Sequence, residues 1–173
     1  NDAPAPTFIP APSGCSLSDF RRLSADDVTA AVRLLPDKQC TSDAMPTSLL
    51  KANVDVLAPY LVELYNRSLT LGTVPKVFKA AYITPLLKKP FLDAAAKSYR
   101  PISNLSVLSK LLERLVARQL LDYLTAASLL PDLQSAYRAH HSTETAVLKV
   151  LSDILRAVDS GDLAVMTLLD LSA

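Results

Sequence analysis

Leu163-Ala164-Val165-Met166-Thr167-Leu168-Leu169-Asp170-Leu171-Ser172-Ala173 are the last residues of the sequence. An apolar run of aliphatic and β-branched residues that ends on one carboxylate reads as a buried strand delivering an aspartate to its end. Two roles fit that pattern. Asp170 is either the solvated exit of a core strand or a carboxylate presented for chemistry. The residues upstream have to decide between them.

The chain has 173 residues, half of them apolar and a fifth charged. That is long and apolar enough for one domain with a real core, and it excludes a disordered chain. Net charge is +1, but its distribution is uneven. From residue 76 to 118, nine Lys and Arg stand against two acids, Asp93 and Glu113, a local net of +7. The remainder carries a net of −6. A basic middle in a near-neutral chain marks a candidate for binding a polyanion, or else a set of separate solvated faces.

Cys15 and Cys40 are too few for a disulfide scaffold and lack metal-ligand spacing, so reduced thiols in an intracellular protein are expected. No signal peptide and no apolar run of about 18 residues is seen, so no membrane association is expected. Asn1 stands where a start would carry Met, and the chain closes on an apolar run. Both ends read as cut, which makes the chain a fragment.

Residues 1–14 hold Pro4, Pro6, Pro10 and Pro12 and read as a linker. Ser24-Ala25-Asp26-Asp27 opens a helix with a capping-box-like start that Pro36 ends. Pro46 suits the first turn of a short helix over 47–52. Val54, Leu57, Leu61, Leu64 and Tyr65 form the core stripe of a longer helix, with Gly72 as its left-handed stop. Pro75 starts a short turn through Lys79.

Residues 80–87 read as a strand, with Pro85 arguing for an edge or a bulge. Lys88 and Lys89 follow in a loop. Arg100 precedes Pro101 and is therefore expected in extended geometry. A long helix runs from about 105 to 126, buried along Leu105, Leu108, Leu112, Leu115 and Val116. Lys110, Arg114 and Arg118 line its opposite face and read as solvated. Ser142 caps a last helix reaching about Ser160, with an apolar face of Val147, Val150, Leu151, Ile154, Leu155 and Val158.

Three constellations bear on chemistry. Lys88, Lys89, Arg100 and Arg138 each sit in a loop or at a strand end, where cations hold a triphosphate or a nucleic-acid backbone, or simply meet solvent. The adjacent His140 and His141 point in different directions and make a poor metal pair. Asp170 suits a Mg²⁺ ligand, but two-metal phosphoryl transfer needs a second converging carboxylate. There is no Gly-rich phosphate loop and no Gly-x-Ser-x-Gly elbow.

Four segments then agree in order. They are Ile83-Thr84-Pro85-Leu86-Leu87-Lys88-Lys89-Pro90, Ser98-Tyr99-Arg100-Pro101-Ile102-Ser103-Asn104-Leu105 with Lys110-Leu111-Leu112-Glu113-Arg114, Leu133-Gln134-Ser135-Ala136-Tyr137-Arg138-Ala139-His140-His141-Ser142-Thr143-Glu144-Thr145-Ala146, and Leu168-Leu169-Asp170-Leu171-Ser172-Ala173. Together they resemble the reverse transcriptase of non-long-terminal-repeat retrotransposons of the jockey-like clades. The resemblance covers about residues 20–173, with 1–19 as a Pro-rich linker.

It implies an α+β, helix-rich fold: the N-terminal extension, fingers and first palm strand of a right-hand polymerase, truncated. It implies an RNA-directed DNA polymerase that uses Mg²⁺, an RNA template, a DNA primer and deoxynucleoside triphosphates, in the cytoplasm and nucleus. By the same resemblance, Asp170 is the first catalytic and metal-binding aspartate. Lys88, Lys89, Arg100 and Arg138 contact nucleotide or nucleic acid. The chain departs from the family pattern in two places. Thr41-Ser42-Asp43-Ala44 stands where a Gly is usual, and Ala136-Tyr137 replaces Gly-Phe. The paired-aspartate strand is absent, so the chain alone is expected to be inactive. The alternative is a non-catalytic helical module that binds nucleic acid through its basic middle, or a helical fragment with no ligand.

Overall fold

The computed structural model describes residues 14, 16–37 and 43–169. Asp170, Cys15, Cys40 and most of the expected linker lie outside the described residues. The elements are α1 (Ala25–Arg33), α2 (Thr47–Ala52), α3 (Val54–Leu71), α4 (Lys76–Lys79), β1 (Ala81–Leu87), β2 (Tyr99–Leu105), α5 (Val107–Ala126) and α6 (Thr143–Asp159). The fold is therefore α+β and rich in helix. The chain divides into two compact units, Asn1–Ala127 and Ser128–Ala173.

The first unit is built on helix amphipathicity. Ser24 accepts from the Asp27 backbone, and the Asp27 carboxylate accepts in return from the Ser24 N–H, closing a capping box that starts α1. Val28, Ala31 and Val32 point from α1 into a core with Leu50, Val54, Leu61, Tyr65, Phe78, Leu111, Leu112 and Leu115. Tyr65 is fully buried and donates its hydroxyl to the Leu108 carbonyl at 3.0 Å, so its polar end is satisfied inside the core. Its burial pushes the phenol pKa up. Gly72 closes α3 at φ 60°, the left-handed value a side chain resists.

The segment leading into α1 is held without a strand partner. The Asn66 amide on α3 accepts from Leu23 N at 2.7 Å and donates to Leu23 O at 2.9 Å. Gln119 on α5 does the same for Arg21, at 2.7 and 3.0 Å. Two side-chain amides thus satisfy alternate residues of one extended segment, as a neighbouring strand would.

β1 and β2 form an antiparallel hairpin in the register Leu86↔Arg100, Pro85↔Pro101 and Thr84↔Ile102. Lys88 N donates to Ser98 O at 2.9 Å, which makes 88/98 a hydrogen-bonded pair. Alternation then makes Pro85/Pro101 a non-hydrogen-bonded pair, whose backbone nitrogens face outward. Proline has no N–H to lose there, which is why two of them fit mid-strand. Arg100 is extended, as its place before Pro101 requires.

The second unit holds α6, started by a second capping box between Ser142 and Thr145 and stopped at Gly161 with φ 82°. Its expected apolar face is present but buries no residue. The expected terminal strand does not form among the described residues. Residues 163–169 have no ladder partner, and Leu163 is 98% and Leu169 90% exposed. A strand persists only where a neighbour takes its backbone groups, and the second unit has no described strand of its own to do so. The apolar pattern predicts a strand, and the described residues 163–169 do not form one: a pattern does not supply the partner.

Candidate nucleotide and nucleic-acid site

The hairpin brings two separate motifs to one end. Lys88 and Lys89 follow directly on β1, and Arg100 sits one residue into β2, opposite Leu86. Opposed residues of an antiparallel pair share a face, and alternate residues along one strand return to it. Leu86, Arg100 and, one step on, Lys88 therefore occupy one face, with Lys88 and Arg100 as diagonal neighbours. All three cations are exposed. The return between the strands is shaped by a 3-10 turn, Ala96–Ser98, that carries Lys97. The buried Ser98 donates its hydroxyl to Asp93, which closes the loop on itself.

This end carries Lys88, Lys89, Lys97 and Arg100 against one acid, Asp93. The ion pairs found among the described residues are Arg21–Asp27, Lys51–Asp37 and Lys149–Asp153. All lie outside residues 76–118. None of the nine cations in that stretch has an ion-pair or hydrogen-bonded side-chain partner among the described residues. An apolar cavity of about 410 Å³ lies in the first unit, lined by Leu69, Val74, Phe78, Leu105, Leu112 and Val116 among others, and Lys79 is the one Lys or Arg along it. None of the three hairpin cations lines it; they are exposed at the hairpin end.

Arg138 belongs to the second unit. Its guanidinium donates to the carbonyls of Pro131 and Asp132 at 2.9 and 3.2 Å, so one nitrogen is spent holding its own loop. His140 adopts φ 62°, and His141 Nδ1 lies 2.8 Å from the Ala139 carbonyl. Neither joins a metal set. Among the described residues no group of three His, Cys, Asp or Glu could hold a metal ion. No described helix is long and apolar enough to cross a membrane.

Sequence reasoning missed Asp43. Its carboxylate accepts from Val107 N at 2.6 Å and from Met45 N at 3.2 Å. It thereby adds a second acceptor to the N-terminus of α5, beside the Ser106 cap, at the point where β2 enters the helix. A carboxylate 64 residues away leaves no local signal in the sequence.

No protein-family profile matches the sequence. Curated relatives do. The chain is 36% identical over 141 residues to "Probable RNA-directed DNA polymerase from transposon BS" of Drosophila melanogaster, covering 81% of the chain and 16% of that protein. It is 30% identical over 155 residues to "RNA-directed DNA polymerase from mobile element jockey" of Drosophila funebris, covering 86% of the chain and 17% of the relative. It is also 30% identical over 140 residues to "Probable RNA-directed DNA polymerase from transposon X-element" of Drosophila melanogaster, covering 81% and 15%. The chain spans about 16% of the length of the curated relatives it matches. Over some four fifths of its length the chain is therefore related in sequence to one segment of the proteins named as RNA-directed DNA polymerases from transposon BS, mobile element jockey and transposon X-element.

Proposed function

We propose that this chain is part of a retrotransposon RNA-directed DNA polymerase, which transfers nucleotides to a primer 3′-hydroxyl on an RNA template. In this reading residues 20–173 are the N-terminal extension, fingers and first palm strand, and residues 1–19 are a linker. The observation that carries it is the convergence of Lys88, Lys89 and Arg100 on one unpaired end of the β1–β2 hairpin. Attack of a primer hydroxyl on an α-phosphate builds negative charge on the phosphoryl oxygens, and fixed cations without acidic partners stabilise that charge. Arg100 offers a planar fork to phosphate, and the two lysines offer point charges. A hairpin rooted in α5 through Ser106 and Asp43 holds these groups on a defined base.

Asp170 is proposed as the first catalytic carboxylate. In the complete polymerase Asp170 would help to hold Mg²⁺, which would neutralise charge on the phosphoryl oxygens. One carboxylate is half of such a set, so the isolated chain is expected to incorporate no nucleotide. The partners are an RNA template, a DNA primer and deoxynucleoside triphosphates, met in the cytoplasm and nucleus. Arg138 keeps a place as a weaker nucleic-acid contact.

The test is primer extension on an RNA template by the polymerase that carries this segment. Asp170→Ala abolishes incorporation. Lys88→Ala, Lys89→Ala and Arg100→Ala raise the KM for nucleotide. An Asp170→Ala enzyme that still extends the primer overturns the assignment. A second reading, nucleic-acid binding without catalysis, is favoured by the unpartnered cations of residues 76–118. It predicts RNA binding by the isolated chain with a steep salt dependence.

A further inference from the structure

We propose a second nucleic-acid contact, on α5 rather than on the hairpin: Lys110, Arg114 and Arg118 form a track for the sugar–phosphate backbone of a single RNA strand. The inference rests on the nucleic-acid reading above and adds a site that neither the motifs nor the relatives' names assign.

The three residues recur at i, i+4 and i+8, so they stand in one row on the helix surface. Neighbours along the row are about 6 Å apart and its ends about 12 Å apart. Arg114 and Arg118 are exposed and Lys110 is half-buried. None has a side-chain partner among the described residues. Glu113, three residues from Lys110, borders the row at that end but forms no ion pair with it. The row stops at Asp122, four residues beyond Arg118, which forms no ion pair with it.

The row also stands on a fixed base. Val107, Leu111, Leu112 and Leu115 are buried in the core. The Leu108 carbonyl accepts from Tyr65, Ser109 donates to the Phe78 carbonyl at 2.8 Å, and Gln119 clamps Arg21. Little ordering remains to be done when a ligand arrives, so three surface cations act together. Two arginines favour phosphate, whose oxygens accept a guanidinium fork, and the regular spacing suits an anion repeated at a fixed interval.

The experiment is fluorescence anisotropy of the 173-residue chain with a labelled 20-nucleotide single-stranded RNA across a KCl series. Thermal melts of each variant confirm folding. The triple variant K110A/R114A/R118A weakens binding and makes the log–log salt slope shallower by about 2, as expected for three lost phosphate contacts on a single strand. D122N, which removes the acid at the end of the row without touching the core, tightens binding roughly twofold. K88A/K89A/R100A is measured alongside. An unchanged slope in the α5 triple, with a shallower one in the hairpin triple, overturns the α5 track and leaves the hairpin reading standing. A shallower slope in the α5 triple alone supports the track and counts against the hairpin. Absence of RNA binding by the unaltered chain at low salt overturns both. Equal binding of a polyglutamate of matched charge overturns the track in favour of an acidic protein partner.

Discussion

α1 and α6 are begun in the same way and end differently. Each opens on a serine N-cap that closes a capping box, with Asp27 in α1 and Thr145 in α6. Each repeats apolar residues at helical spacing. Yet α1 buries Val28, Ala31 and Val32, while α6 buries nothing and leaves Val147 59% and Leu155 53% exposed. Helix formation is decided within a few residues of the chain. Burial needs a second surface, and α1 has α3 and α5 to supply it. A stripe of apolar residues states a demand for a partner, and only the rest of the structure answers it.

The contrast is open to direct attack, most strongly at the buried face. Val32→Asp places an unpaired carboxylate at a position with no exposure and should destabilise the chain by about 3–5 kcal/mol, read as a fall in the urea midpoint. Val150→Asp, the matched change on α6, should alter global stability by no more than about 0.5 kcal/mol. An equal loss at both positions would mean that α6 is covered in solution. Next in size is Asn66→Ala. It strips both backbone groups of Leu23 of their partner and should cost about 2 kcal/mol, with faster amide exchange at the start of α1.

The two caps come next. Ser24→Ala and Ser142→Ala should each cost about 1 kcal/mol of local helix stability. The first should register in global unfolding. The second should register as amide exchange and lost helicity in α6, which buries no residue of its own.

The smallest effect is acid dependence. The Arg21 guanidinium, with help from the Ser24 backbone, holds the Asp27 carboxyl well below the usual range. A depressed folded pKa gives stability that is whole above the unfolded value of about 4 and declines as pH falls below it. Asp27→Asn should flatten that decline between about pH 5 and pH 2 in a series of melts. The reciprocal partner in the α6 box is the Thr145 hydroxyl, which does not titrate. The Ser142 hydroxyl does hold Glu144 low in the first turn of α6, so Glu144→Gln reports the same sign there.

Much of this architecture was legible in the residues. Ser24, Gly72, Pro75, Ser142 and Gly161 each mark a helix end by a mechanism confined to a few residues, and each end falls where that mechanism puts it. Arg100 is extended because Pro101 follows it. What stayed hidden is long-range. The Asp43 contact with the start of α5, and the amide clamps of Asn66 and Gln119, join residues 43 to 98 positions apart. The hairpin cations were readable as loop cations, but their convergence depends on the register of β1 against β2. Residues 163–169 lack a ladder for the same reason that α6 buries no residue of its face. Periodicity describes one side of a contact.

The opposed prolines of the hairpin have a consequence for concentrated samples. An incoming strand joins a sheet by exchanging N–H and C=O groups along the open edge. At mid-length each outer edge of this hairpin lacks its donor, since both Pro85 and Pro101 face outward. A second molecule that docks there finds its hydrogen-bond ladder interrupted on either side. Self-association of this chain should therefore begin elsewhere. Residues 163–169, apolar, exposed and free of proline, are the stretch whose replacement by polar residues should most improve its solubility.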